Sequence, residues 1–182
     1  MAFVQLSQNR NDGVSIMIFA EGTIFKPKTK LSLFSFKNYV PVGNCVGIIS
    51  RWREQGAQIF YCTSRKGRHV GVIAKLLERC GLPGEKLYYR DDGETYKDIV
   101  EAVKPGVLIE DDCKSIGGAR QMCITHVSSE IKQTIKSVVV SEFGGIDHLE
   151  GLSLCDNKHE DLREDKCFFA EKKYLCKKRL TQ

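Results

Sequence analysis

Short apolar runs alternate with amphipathic stretches along this chain. Five runs are strand-sized: residues 13–19 (GVSIMIF), 58–62 (QIFYC), 86–89 (KLYY), 106–110 (GVLIE) and 121–125 (QMCIT). Continuous apolar runs of this length suit strands buried on both faces, as in a parallel sheet. Helical spacing fills the gaps. Residues 42–55 set Cys45, Ile48, Ile49 and Trp52 on one face. Residues 67–80 do the same with Val70, Ile73, Leu76, Leu77 and Cys80, and Gly81 supplies a stop. Residues 95–103 turn Ile99, Val100 and Val103 inward before Pro105 ends the helix. Ser129 is placed to cap a further helix, expected to reach residue 142 with Ile131, Ile135 and Val138 inward.

Strand and helix alternating at this spacing predict βαβ units with right-handed crossovers. The expected class is α/β, a three-layer sandwich around an open, mainly parallel sheet. Two segments break the rhythm. Residues 24–40 are too long for a simple turn, so a small hairpin or flap is expected there. Residues 151–182 are polar and read as an extension, helical and basic at its end, appended to a domain spanning residues 1–150.

The 182 residues are 42% hydrophobic and 28% charged, which fits one globular core and excludes a disordered chain. No run approaches the ~18 apolar residues of a membrane span. The first residues lack the apolar core of a secretion signal, so a cytoplasmic setting with reduced thiols is expected. The eight cysteines include no C-x-x-C pair. Cys62, Cys80 and Cys123 sit among apolar residues and read as small hydrophobic fillers. Cys155, His159, Cys167 and Cys176 have spacings that match no familiar zinc template. The net charge of +5 is localised: Lys172, Lys173, Lys177, Lys178 and Arg179 carry all of it, and residues 1–171 are formally neutral. Such a patch could hold nucleic-acid phosphates, although a solvated helix end is the simpler account.

In an open parallel sheet, ligands bind beyond the carboxyl ends of the strands. Those ends carry Glu21, Gly22 and Thr23; then Thr63, Ser64 and Arg65; then Glu110, Asp111 and Asp112. Lys97 lies on the helix before the fourth strand. Hydroxyls and backbone N–H groups at a helix start form an anion site. A lysine neutralises phosphate oxygens, and clustered carboxylates suit Mg²⁺. Together these residues fit Mg²⁺-assisted phosphoryl chemistry. Arg65, Lys66 and Arg68 read as a solvated face.

IFAEGTI (18–24), YCTSR (61–65), Lys97 and LIEDD (108–112) resemble, in order and spacing, the four motifs of the haloacid dehalogenase (HAD) superfamily of phosphohydrolases. The resemblance covers residues 13–125. It implies that Thr63, or Ser64 in a shifted register, binds phosphate and that Lys97 is catalytic, steadying both phosphate and nucleophile. It implies Mg²⁺ as cofactor, held by Glu110 and Asp111 with Glu21. Glu21 stands where the family has its general acid and base. The family's nucleophilic aspartate is replaced by Phe19, whose phenyl ring cannot attack phosphorus. The leading expectation is therefore an impaired phosphohydrolase that binds a phosphorylated small molecule or phosphoprotein. Two others stay open: an active phosphatase using Glu21 in an unusual way, and a nucleic-acid or scaffold accessory acting through the basic end. No full cap domain fits between the motifs, which suits a large substrate or a lid supplied by a partner.

Overall fold

The computed structural model describes residues 13–29 and 38–152. The extension expected at 151–182 lies almost wholly outside the described residues, as does the tip of the segment at 24–40. Twelve elements follow in chain order. They are β1 (Ser15–Phe19), β2 (Phe25–Pro27), β3 (Tyr39–Pro41), α1 (Cys45–Glu54), β4 (Gln58–Cys62) and α2 (Val70–Arg79), then β5 (Lys86–Tyr88), α3 (Tyr96–Val103), β6 (Val107–Asp111), α4 (Cys123–His126), α5 (Ser129–Lys132) and β7 (Lys136–Val140).

The main sheet has the order β5-β4-β1-β6-β7, and every pairing in it is parallel. β1 lies at its centre, with Ile16 to Ile18 wholly buried, because both its neighbours and both its faces are covered. β2 and β3 form a separate antiparallel pair, so the ends of the 24–40 segment do close into a two-stranded unit.

Side chains alternate between the two faces with the period of two that a strand imposes. Ile16 and Ile18 of β1, Ile59 and Tyr61 of β4, and Val107 and Ile109 of β6 pack against α1 and α2. Met17 and Phe19 of β1, Phe60 and Cys62 of β4, and Leu108 of β6 pack against α3 and α4. This is the expected three-layer arrangement. The strand centres at 15–19, 58–62, 86–88 and 107–111 and helices α1 to α3 fall where the apolar pattern put them. Among the described residues, no helix is long and apolar enough to cross a membrane.

The last two elements correct the sequence reading. Residues 121–125 are not the fifth strand: Cys123–His126 form one helical turn. The helix expected from Ser129 to 142 ends at Lys132, and Lys136–Val140 is the fifth strand. Ile131, Ile135 and Val138 satisfy helical spacing, but Val138, Val139 and Val140 are consecutive β-branched residues that favour a pleated strand. β6 settles the matter by pairing with β7 from Val107↔Lys136 to Asp111↔Val140. The short run at 121–125 becomes a helix because the Glu110 carboxylate caps its first N–H groups.

Candidate functional site

β1 ends at Phe19, and the chain turns sharply over the next five residues. Phe25 N–H and Ile24 N–H both donate to Ala20 O, at 2.9 and 3.1 Å. Gly22 has φ +85°, a left-handed conformation that glycine adopts without strain. A Cβ there would meet Asp111 Oδ1 at 2.4 Å, so the missing side chain also lets β6 approach the turn. The turn directs Glu21 towards the end of β4.

There the Glu21 carboxylate is held by three consecutive residues. Oε1 accepts from the Thr63 hydroxyl at 2.8 Å and the Ser64 hydroxyl at 3.1 Å. Oε2 accepts from Ser64 N–H at 3.3 Å. The Arg65 guanidinium forms an ion pair with Oε1, Nε to oxygen 2.8 Å. Thr63 is fully buried, and its oxygen also accepts from Arg65 N–H at 3.1 Å, which tightens the Thr-Ser-Arg turn. Arg65 Nη2 donates to the Tyr39 hydroxyl at 3.4 Å, and the guanidinium lies 5.8 Å from that ring's centre. The β2–β3 unit thus steadies the cation that faces Glu21. Burial raises the Tyr39 hydroxyl pKa, and Arg65 pulls against that rise.

The structure therefore brings Glu21, Thr63 and Ser64 together, and adds Arg65, which the sequence reading left on a solvated face. It does not bring Lys97 to them. Lys97 lies on α3 with its ammonium 3.8 Å from Glu101 one turn on, half exposed to solvent. A second arginine follows the end of β5. This residue, Arg90, stacks on the Tyr96 ring at 4.1 Å. The Tyr96 hydroxyl, raised by burial, feels both Arg90 and Glu21. The available sequence signal was positional: both arginines follow the carboxyl end of a strand.

The acids on β6 part company. Glu110 shares the sheet face of Leu108, and its oxygens accept from Cys123 N–H at 2.6 Å and Ile124 N–H at 2.9 Å. Asp111 projects the other way, beside Gly22, and its Oδ2 accepts from Cys113 N–H at 3.0 Å. Burial raises the pKa of both carboxyls, opposed by those N–H donors. Consecutive strand residues point to opposite faces, so these two oxygen sets diverge. Among the described residues, no three His, Cys, Asp or Glu side chains form a group that could hold a metal ion. As folded, Glu21, Glu110 and Asp111 do not fit the Mg²⁺ that the sequence resemblance implies.

Phe19 occupies the strand-end position where the sequence resemblance expects an aspartate. Its ring meets Tyr96 edge to face, with centroids 5.1 Å apart and planes at 79°. Cys62, next to Thr63, offers no substitute. Its thiol is buried, and burial raises its pKa, which disfavours the thiolate needed for attack.

No protein-family model matches the sequence, and no curated protein is significantly similar to it. Solved structures share its fold. The structure of the Pnkp1/Rnl/Hen1 RNA repair complex aligns at TM-score 0.52 and 12% identity, over 77% of this chain and 48% of that one. The class C acid phosphatase from Bacillus anthracis with tungstate bound aligns at 0.51 and 13%, over 81% and 75%. This chain thus spans about half the length of the RNA repair chain it matches. These likenesses are to the fold: an open, parallel α/β sheet of the kind that the alternating pattern along the chain implied.

Proposed function

We propose that this HAD-fold chain is a phosphate-recognising binding protein that has lost aspartyl-phosphate chemistry. The observation that carries the reading is Phe19, packed against Tyr96 at the strand end where the fold's nucleophile stands. A hydrocarbon ring provides no lone pair to attack phosphorus and no oxygen for a metal. The cradle beside it keeps hydroxyl, N–H and guanidinium donors converging on one carboxylate. Those donor types recognise a phosphate monoester equally well, whether carried by a small molecule or a phosphoprotein. The acid phosphatase of the same fold with tungstate, an oxyanion, bound to it supports that choice of ligand class.

The test is hydrolysis of an aryl phosphate, with and without Mg²⁺, by the full chain and by Phe19→Asp. The native chain is expected to show no turnover above a heat-inactivated control. Turnover by the native chain that disappears in Glu21→Ala would overturn the reading in favour of an active phosphatase working through Glu21.

A further inference from the structure

We infer that Glu21 is a tethered anion occupying the phosphate cradle, so that a phosphate ligand binds only after this carboxylate leaves. The inference rests on the binding function proposed above and adds its regulation.

The donor count carries it. A serine or threonine hydroxyl has one proton to give, and a backbone N–H has one. The Thr63 hydroxyl, the Ser64 hydroxyl and the Ser64 N–H all give theirs to Glu21. Arg65 Nε faces the same carboxylate at 2.8 Å. The four groups that would bind a phosphate are thus turned onto one internal carboxylate. A phosphate entering beside it would set two anions in one cradle, where like charges repel.

The surroundings allow the exchange. Ser64 is exposed, so the rim of the cradle is open to solvent, while Thr63 beneath it is sealed. The Glu21 backbone is fixed by the turn from Ala20 to Phe25, so the exchange is a rotation of its side chain, which is 9% exposed as it stands. Arg65 has a second anchor on Tyr39 and stays in place when Glu21 departs. The released cradle then presents two hydroxyls, an N–H and a guanidinium to the incoming oxyanion. An affinity measured on a protein that is mostly closed is reduced by its open fraction.

The experiment is equilibrium dialysis of radiolabelled inorganic phosphate against the full chain, Glu21→Ala, Glu21→Gln and Glu21→Ala/Arg65→Ala, each checked for folding by circular dichroism. Both single variants are expected to bind at least roughly tenfold more tightly than the native chain, as an open fraction below about one tenth requires. The double variant is expected to lose that gain. Equal affinity of the native chain and the folded single variants overturns the inference while leaving phosphate binding intact. A gain that survives loss of Arg65 also overturns it, because the phosphate then binds elsewhere. Aryl phosphate turnover by the native chain would instead remove the binding function while a gain in Glu21→Ala still upheld the tethered anion. Glu21→Gln keeps the side-chain length, so it decides the matter if Glu21→Ala fails to fold. If neither folds, phosphate is titrated into the native chain and the Ser64 amide resonance is followed. Saturation only at millimolar phosphate supports the inference, and saturation at micromolar phosphate overturns it.

Discussion

Glu110 accepts a hydrogen bond from the backbone N–H of Cys123 at 2.6 Å, and from Ile124 N–H at 2.9 Å with its other oxygen. The penultimate residue of β6 thereby caps the start of α4. Glu110 is 2% exposed, so removing the carboxylate strands two donors. Glu110→Ala is expected to destabilise the fold by about 2–4 kcal/mol, since each buried unpaired donor costs about 1–3 kcal/mol. Urea denaturation measures this, and a change under 1 kcal/mol would show that α4 does not depend on the cap.

The same burial has a pH signature. Burial holds the Glu110 and Asp111 carboxyls above their ordinary values of 4.5 and 3.8. Between the ordinary and the raised value, the folded state binds more protons than the unfolded one. Stability from these groups is therefore fully present below the ordinary values and declines as pH rises through the raised ones. Glu110→Gln removes one contributor. Its unfolding free energy is expected to fall less steeply with pH than that of the native chain, starting just above pH 4.5. Parallel profiles would refute the assignment.

Gly22 faces Asp111 with no room for a side chain. Its φ of +85° strains any other residue, and a Cβ would lie 2.4 Å from Asp111 Oδ1. Gly22→Ala is expected to cost roughly 2 kcal/mol or more, through backbone strain plus overpacking. Thermal unfolding reads the loss. A neutral substitution would mean that the turn can re-form without moving Asp111.

Two cations are separated by the structure where the sequence ranked them in reverse. Arg65 pairs with Glu21 inside the cradle, and Lys97 pairs with Glu101 on α3. In a Glu21→Ala background, Lys97→Ala is expected to leave phosphate affinity within about twofold, as expected of an exposed ion pair of small energetic weight. Arg65→Ala in that background is expected to weaken it by roughly tenfold or more, the scale of a charge-assisted hydrogen bond. Isothermal titration with inorganic phosphate compares them, and the opposite ranking would restore Lys97 to the site.

The chain's apolar pattern by itself determined the central layers. The runs at 13–19, 58–62 and 106–110 suit doubly buried strands and three amphipathic stretches suit helices covering them, and β1, β4, β6 and α1 to α3 form there. The same pattern placed Glu21, Thr63 and Ser64 at one sheet edge, because parallel strands bring their carboxyl ends together. It failed at the carboxyl-terminal side of the domain. There Ile131, Ile135 and Val138 satisfy a helical period, and only pairing with β6 chose the strand.

The tertiary structure alone decided what each polar group does. A strand's period of two fixed Glu110 and Asp111 on opposite faces, but the first turn of α4 beneath Glu110 turned a candidate metal ligand into a cap. The Thr63–Glu21 hydrogen bond joins residues 42 positions apart, and the Arg65–Glu21 ion pair spans a similar gap. Local propensity carries no information about such a contact. It exists because β1 and β4 are hydrogen-bonded neighbours, and that adjacency brings a glutamate of one strand end within reach of the donors on the next.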